Sequence, residues 1–129
     1  MKKMKWLFIF VIAIFVYSCS TNDDDDAVYD RIIKFRNDYN NRNLTALRSN
    51  FHSGRADGTV LAYWDTVFGG GTQVTITISD INTLTSPFVT AKISSSNGVR
   101  NGDNITFTMQ EESAGIWKIV TIGGAVSFP

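Results

Sequence analysis

The chain has 129 residues but only one cysteine and one histidine. A single thiol has no disulfide partner within the chain, and zinc binding or thiol catalysis would need partner ligands that are not present. Basic and acidic residues balance at 12 each, with no Arg/Lys patch to suggest nucleic acid or an anionic lipid surface. The longest apolar run is about a dozen residues, short of the ~20 that a helix needs to cross a bilayer. No metal-ligand spacing, nucleophile motif or phosphate loop is present, so no cofactor is expected.

The apolar run, Trp6 to Tyr17, follows Met1-Lys2-Lys3-Met4-Lys5 and leads into Ser18-Cys19. A basic start, an uncharged apolar stretch and a small residue before the break are the parts of a secretory signal. Val16-Tyr17-Ser18-Cys19 resembles the lipobox of bacterial lipoproteins. The resemblance implies a signal peptide over residues 1–18 and acylation of Cys19, so that the membrane is reached through lipid. Residues 19–26 then read as a tether. Asp23-Asp24-Asp25-Asp26 is a self-repelling run and resembles the acidic tags that send some outer-membrane lipoproteins to the cell surface. The expected location is the outer membrane, with the surface favoured over the periplasmic face. Removing Lys2, Lys3 and Lys5 leaves 9 basic against 12 acidic residues, and four of those acids are the tether.

Residues 27–129 suit one compact domain. Val28, Ile32, Phe35 and Tyr39 repeat at helical spacing, with Asp30–Lys34 as an i,i+4 pair. The helix should end near Asn40–Asn41. Asn43 is suited to capping a second short helix with the stripe Leu44, Leu47, Phe51. A third helix, capped by Asp57 or Thr59, carries Leu61, Trp64 and Phe68 and stops at Gly69-Gly70-Gly71. Everything beyond alternates as strands: Val74, Ile76, Ile78; Val89, Ala91, Ile93; Ile105, Phe107, Met109. Turns are signalled at Asn97-Gly98 and Ser113-Ala114-Gly115. Ile116 to Ile122 is apolar on both parities, which suggests a second buried surface. The expected class is α+β, with N-terminal helices on the apolar face of a curved antiparallel sheet of about four strands and a Thr-rich, wet outer face.

Four segments carry a further resemblance. Tyr39-Asn40-Asn41-Arg42-Asn43-Leu44-Thr45-Ala46-Leu47, the helix end at Phe51, Leu61-Ala62-Tyr63-Trp64-Asp65-Thr66-Val67-Phe68 and Gly115-Ile116-Trp117-Lys118-Ile119 together resemble the nuclear transport factor 2-like fold. That group includes the ketosteroid-isomerase and polyketide-cyclase-like proteins. The resemblance implies a cone between helices and sheet, a pocket in it, and pairing of copies through the outer sheet face. The loop from Phe51 to Thr59 departs from the family's pattern.

Enzymes of this kind place an acid or base in the cone. The inward strand positions here are all apolar, so a base would have to come from His52 or Asp57; Asp65 reads as solvent-facing. Tyr39 and Tyr63 read as core-edge packing. Glu111-Glu112 read as an exposed hairpin end. Phe35, Tyr39, Phe51, Trp64, Phe68, Phe107 and Trp117 either line a pocket for a small apolar ligand or fill the core. The sequence therefore leaves three readings open: a lipid-anchored binder of an apolar ligand or protein partner, a small isomerase/cyclase-type enzyme, and a structural subunit.

Overall fold

The computed structural model describes residues 23–53 and 59–126. The signal segment, Cys19, Asp57 and Ser127-Phe128 lie outside them. Three helices precede four strands: α1 (Asp23–Asn40), α2 (Leu44–Arg48), α3 (Thr59–Phe68), β1 (Val74–Asn82), β2 (Phe88–Ser95), β3 (Asp103–Ser113) and β4 (Ile116–Gly124). The strands form one open antiparallel sheet in the order β1-β2-β3-β4. The chain is thus α+β, helices first and a four-strand antiparallel sheet after.

Helix α1 starts at Asp23, four residues earlier than the sequence suggests. The tetra-Asp run is the first helical turn and not part of a tether. Four carboxylates repel one another, but in the first turn they lie at the positive dipole end of the helix, which favours negative charge. Two are tied down as well: Trp117 Nε1 donates to Asp24 Oδ1 at 3.3 Å and Thr83 Oγ1 to Asp25 Oδ1 at 2.9 Å. Val28, Ile32, Phe35 and Tyr39 are buried on one face, as their spacing requires. Lys34 pairs with Asp38 at 2.6 Å and not with Asp30.

The end of α1 is held by side chains acting on distant backbone. Asn40 uses both ends of its amide on Val74: Oδ1 accepts from the Val74 N–H at 2.8 Å and Nδ2 donates to the Val74 carbonyl at 2.9 Å. The start of β1 is therefore joined to the end of α1 as if by a strand pair. Asn43 caps α2, its Oδ1 accepting from the Ala46 N–H at 3.1 Å. In α3 the buried stripe is Val60, Trp64 and Phe68, with Leu61 only partly buried. The stripe thus runs at i, i+4, i+8, one position off the expected starting residue. Gly69, at φ +90°, ends the helix in a conformation that side chains resist.

On the sheet's inner face Ile76 pairs with Ile93, Ala91 with Ile105 and Phe107 with Ile122. The double-parity apolarity of β4 has a simple cause. Thr108 pairs with Thr121 and Met109 with Ile119, so Val120 is an extra, bulged residue. The bulge reverses the alternation. Trp117, Ile119 and Ile122 are consequently all buried on the inner face, while Ile116 is exposed. The strand has one buried face, not two. A similar bulge at Ser79 brings Ile81 into register with Val89. Beyond β4, Phe51 forms a short parallel bridge with Ile119. His52 N–H donates to the Ile119 carbonyl at 2.8 Å, and Ile119 N–H donates to the Asn50 carbonyl at 2.9 Å. This covers part of an edge that would otherwise be open to pairing.

Candidate functional site

The seven residues expected to line a pocket are all buried. Six of them form one continuous set of rings. Phe35 is its centre, meeting Phe51 at 5.8 Å, Trp64 at 5.0 Å and Phe107 at 5.8 Å between centroids, all edge-on. Trp64 also meets Tyr39 at 5.3 Å and Phe68 at 5.6 Å. Ring edges thus point at ring faces, the arrangement that quadrupoles favour. Trp117 stands apart at the α1 end of the sheet, its indole N–H on Asp24. One polar atom in the set is unusual: Trp64 Nε1 is buried and has no hydrogen-bond partner.

The polar groups lie around this core and not in it. Tyr39 reaches out of it: its hydroxyl donates to Asp65 Oδ1 at 2.8 Å. Arg42 Nη2 lies 3.2 Å from the same oxygen, and the guanidinium stacks 4.6 Å from the Tyr39 ring centroid. Arg42 also donates to the carbonyls of Tyr39 and Thr72. Burial, and then the Asp65 carboxylate, push the Tyr39 phenol above its ordinary range. Asp65 is therefore not a free solvent-facing acid. It is the shared acceptor of a phenol and a guanidinium, which suits joining α1 to α3 better than moving protons.

A second hub is centred on Asn50, which is fully buried. Its Oδ1 accepts from Arg31 Nη1 at 3.0 Å and its Nδ2 donates to Asp38 at 2.8 Å. Arg31 Nε donates to the Trp117 carbonyl at 2.8 Å. Lys118 donates to the Ser49 carbonyl nearby. Burial lowers the pKa of both Arg31 and Lys118, and for Lys118 the neighbouring Arg31 adds to it. The Arg31 guanidinium and the Lys118 ammonium are both engaged by these acceptors. These groups bind α1, α2 and β4 together.

His52 lies just past the bridge to β4, partly exposed, with Nδ1 at 3.2 Å from the Ser53 carbonyl. Glu112 accepts from the Ser53 N–H at 3.0 Å, and that hydrogen bonding holds its carboxyl below the usual range. Glu112 thus grips the loop beside His52, while Glu111 accepts from the Gly115 N–H within the hairpin at 2.8 Å. His52 is outside the ring set, so the structure does not bring it together with the residues expected to line the pocket.

A depression of about 460 Å³ opens elsewhere, lined by Asp25, Asp80, Ile81, Asn82, Thr83 and Leu84. It is not legible in the sequence because its walls come from the first turn of α1 and from the end of β1 with the β1–β2 turn, which are far apart in the chain. Among the described residues, no group of three or more His, Cys, Asp or Glu is arranged to hold a metal ion. No described helix is long and apolar enough to cross a membrane. Compared with known proteins, the chain matches no family model, no curated protein and no solved structure.

Proposed function

We propose that the chain is an acylated lipoprotein of the outer membrane, cell-surface facing, whose nuclear transport factor 2-like domain works by binding a protein partner and not by catalysis. The lipobox-like Val16–Cys19 and the quoted family segments support the address and the fold type. One observation carries the mode of action. Phe35, Tyr39, Phe51, Trp64, Phe68 and Phe107 touch one another ring against ring, which leaves the interior occupied by the protein's own side chains. The surface left for recognition is the outer sheet face, where Thr77 is opposite Lys92, Thr90 opposite Thr106 and Thr108 opposite Thr121. Hydroxyls in rows on a four-strand platform suit hydrogen bonding to a partner or to a second copy.

A photo-crosslinking residue at Thr108, in the protein expressed in its own envelope, tests this. The expected result is a protein adduct from position 108 and none from Arg36 on the exposed side of α1. Adducts of equal yield from both positions would refute it. The apolar-ligand reading keeps one supporting observation, the unpartnered Trp64 Nε1, which a ligand acceptor would satisfy if the rings parted. Native mass spectrometry of the purified protein decides between the two, since a co-purifying small molecule favours the ligand. For the enzyme alternative, His52 lies outside the ring set, and Asp57 is outside the described residues.

A further inference from the structure

The described residues include five exposed large hydrophobic side chains: Tyr29, Tyr63, Leu84, Val99 and Ile116. Strand direction sorts them. The β1–β2 and β3–β4 turns lie at one end of the sheet and the β2–β3 turn at the other. Leu84, 92% exposed, and Ile116, 45% exposed, are therefore at the same end. So is the start of α1, because Thr83 bonds Asp25 and Trp117 bonds Asp24. Tyr29, 47% exposed, sits within the first two turns of α1.

Leu84 is held outward by its own turn. Asn82 Oδ1 accepts from the Leu84 N–H at 3.0 Å, and Pro87 fixes the return into β2. From Asn82 to Phe88 the turn carries no charge. Cys19 precedes Asp23 by four residues, a reach of at most about 14 Å even if fully extended. Whatever surface holds Cys19 is thus close to this end of the domain.

We propose that the end bearing Leu84, Ile116 and Tyr29 rests on the lipid surface to which Cys19 is attached, with Leu84 entering the headgroup–acyl boundary. This rests on the acylation reading above. The lipid should be zwitterionic. Asp23 to Asp26 and Asp80 surround the same end, and they repel anionic headgroups while facing the ammonium of a neutral one. The contact fixes which way the domain faces: the β2–β3 turn points away from the membrane.

The full acylated protein, carrying Leu84→Cys and a nitroxide on that thiol, is placed in phosphatidylcholine vesicles. Acylated Cys19 leaves the introduced thiol as the only one to label. Collision with dissolved oxygen is compared with collision with a water-soluble nickel chelate, and Val99→Cys serves as the distal reference. We expect a several-fold higher oxygen-to-nickel ratio at position 84 than at 99. Phosphatidylglycerol in the vesicles should reduce the difference. Equal, water-like ratios at both positions overturn the proposal while leaving acylation intact. Intact mass of the same sample reads acylation independently, and an unmodified Cys19 overturns both readings. Both substituted positions are exposed, and an unchanged circular dichroism spectrum verifies the fold.

Discussion

Replacing Tyr39 by Phe removes one oxygen from a fully buried residue and leaves the ring stacking in place. The lost bond runs to a carboxylate at 2.8 Å, and hydrogen bonds to charged partners contribute about 1.5–3 kcal/mol. Asp65 keeps Arg42 at 3.2 Å, so its charge is not stranded and the lower part of that range applies, about 1.5 kcal/mol. With a urea slope of about 1–1.5 kcal/mol/M for a domain of this size, the midpoint should fall by about 1 M with the slope unchanged. The phenol also has a pH signature, set first by its burial and then by its bond to Asp65. Tyr39 keeps its proton in the native state at pH values where an unfolded tyrosine, with a pKa near 10, gives it up. Its contribution is therefore complete below about pH 10 and lost as pH rises beyond it. Tyr39→Phe should lose less stability than wild type between about pH 10 and 11, so the two curves converge. The assay is urea unfolding followed by far-ultraviolet circular dichroism, at neutral pH and in steps to pH 11, in a cycle with Asp65→Ala. A Tyr39→Phe change below about 0.5 kcal/mol would refute the reasoning. So would an equal loss in the Asp65→Ala background, which would mean that the two groups are not coupled.

Three other outcomes follow from the packing. Asn40→Ala frees the N–H and carbonyl of Val74 together and should cost about 2 kcal/mol, seen as a drop in melting temperature of roughly 8–16 °C. Gly124→Ala combines φ +101° with a Cβ placed 2.7 Å from the Asn104 carbonyl oxygen; a loss of about 2 kcal/mol or more is expected in urea, and a neutral result would mean that the end of β4 is free to shift. Deleting Val120 removes the bulge and should turn Trp117 and Ile119 outward, abolishing cooperative unfolding. Val120→Ala keeps the residue count and should cost no more than about 1 kcal/mol.

What the sequence reveals here is what repeats locally. The α1 stripe, the Asn43 cap and the three inward strand patterns each need only residues a few positions apart, and each is found in place. The errors come from competing local effects. Four aspartates read as a repelling tether, yet helix-end electrostatics and two distant partners, Thr83 and Trp117, draw them into α1. Ile116 to Ile122 reads as two apolar faces because a one-residue bulge cannot be seen in a parity pattern. Val60 is overlooked because Leu61 satisfies the same periodicity with a larger side chain. The polar framework is beyond such reading altogether. Asn40 on Val74, Arg31 on Trp117 and Asp65 between Tyr39 and Arg42 join residues 23 to 86 positions apart, and nothing in the residue types specifies those partners. The aromatic residues are recognisable as a set from composition and spacing, but whether they enclose space or fill it depends on ring angles.

The meander order of the sheet has a consequence for how the molecule comes together. Every strand pairs with its neighbour in the chain, so each hairpin closes over a short loop at small entropic cost. The contacts of α1 with β4 are different. Arg31 to Trp117 and Asp24 to Trp117 span 86 and 93 residues, and the bridge from Phe51 to Ile119 belongs with them. A chain that emerges from its N-terminus presents α1 long before the last strand exists. Phe35 can meet Phe51, Trp64 and Phe107 before β4 exists, but Arg31 and Asp24 have no Trp117 to bond until the last strand arrives. Completion of the domain and fixing of the start of α1 are therefore one event, controlled by the final strand.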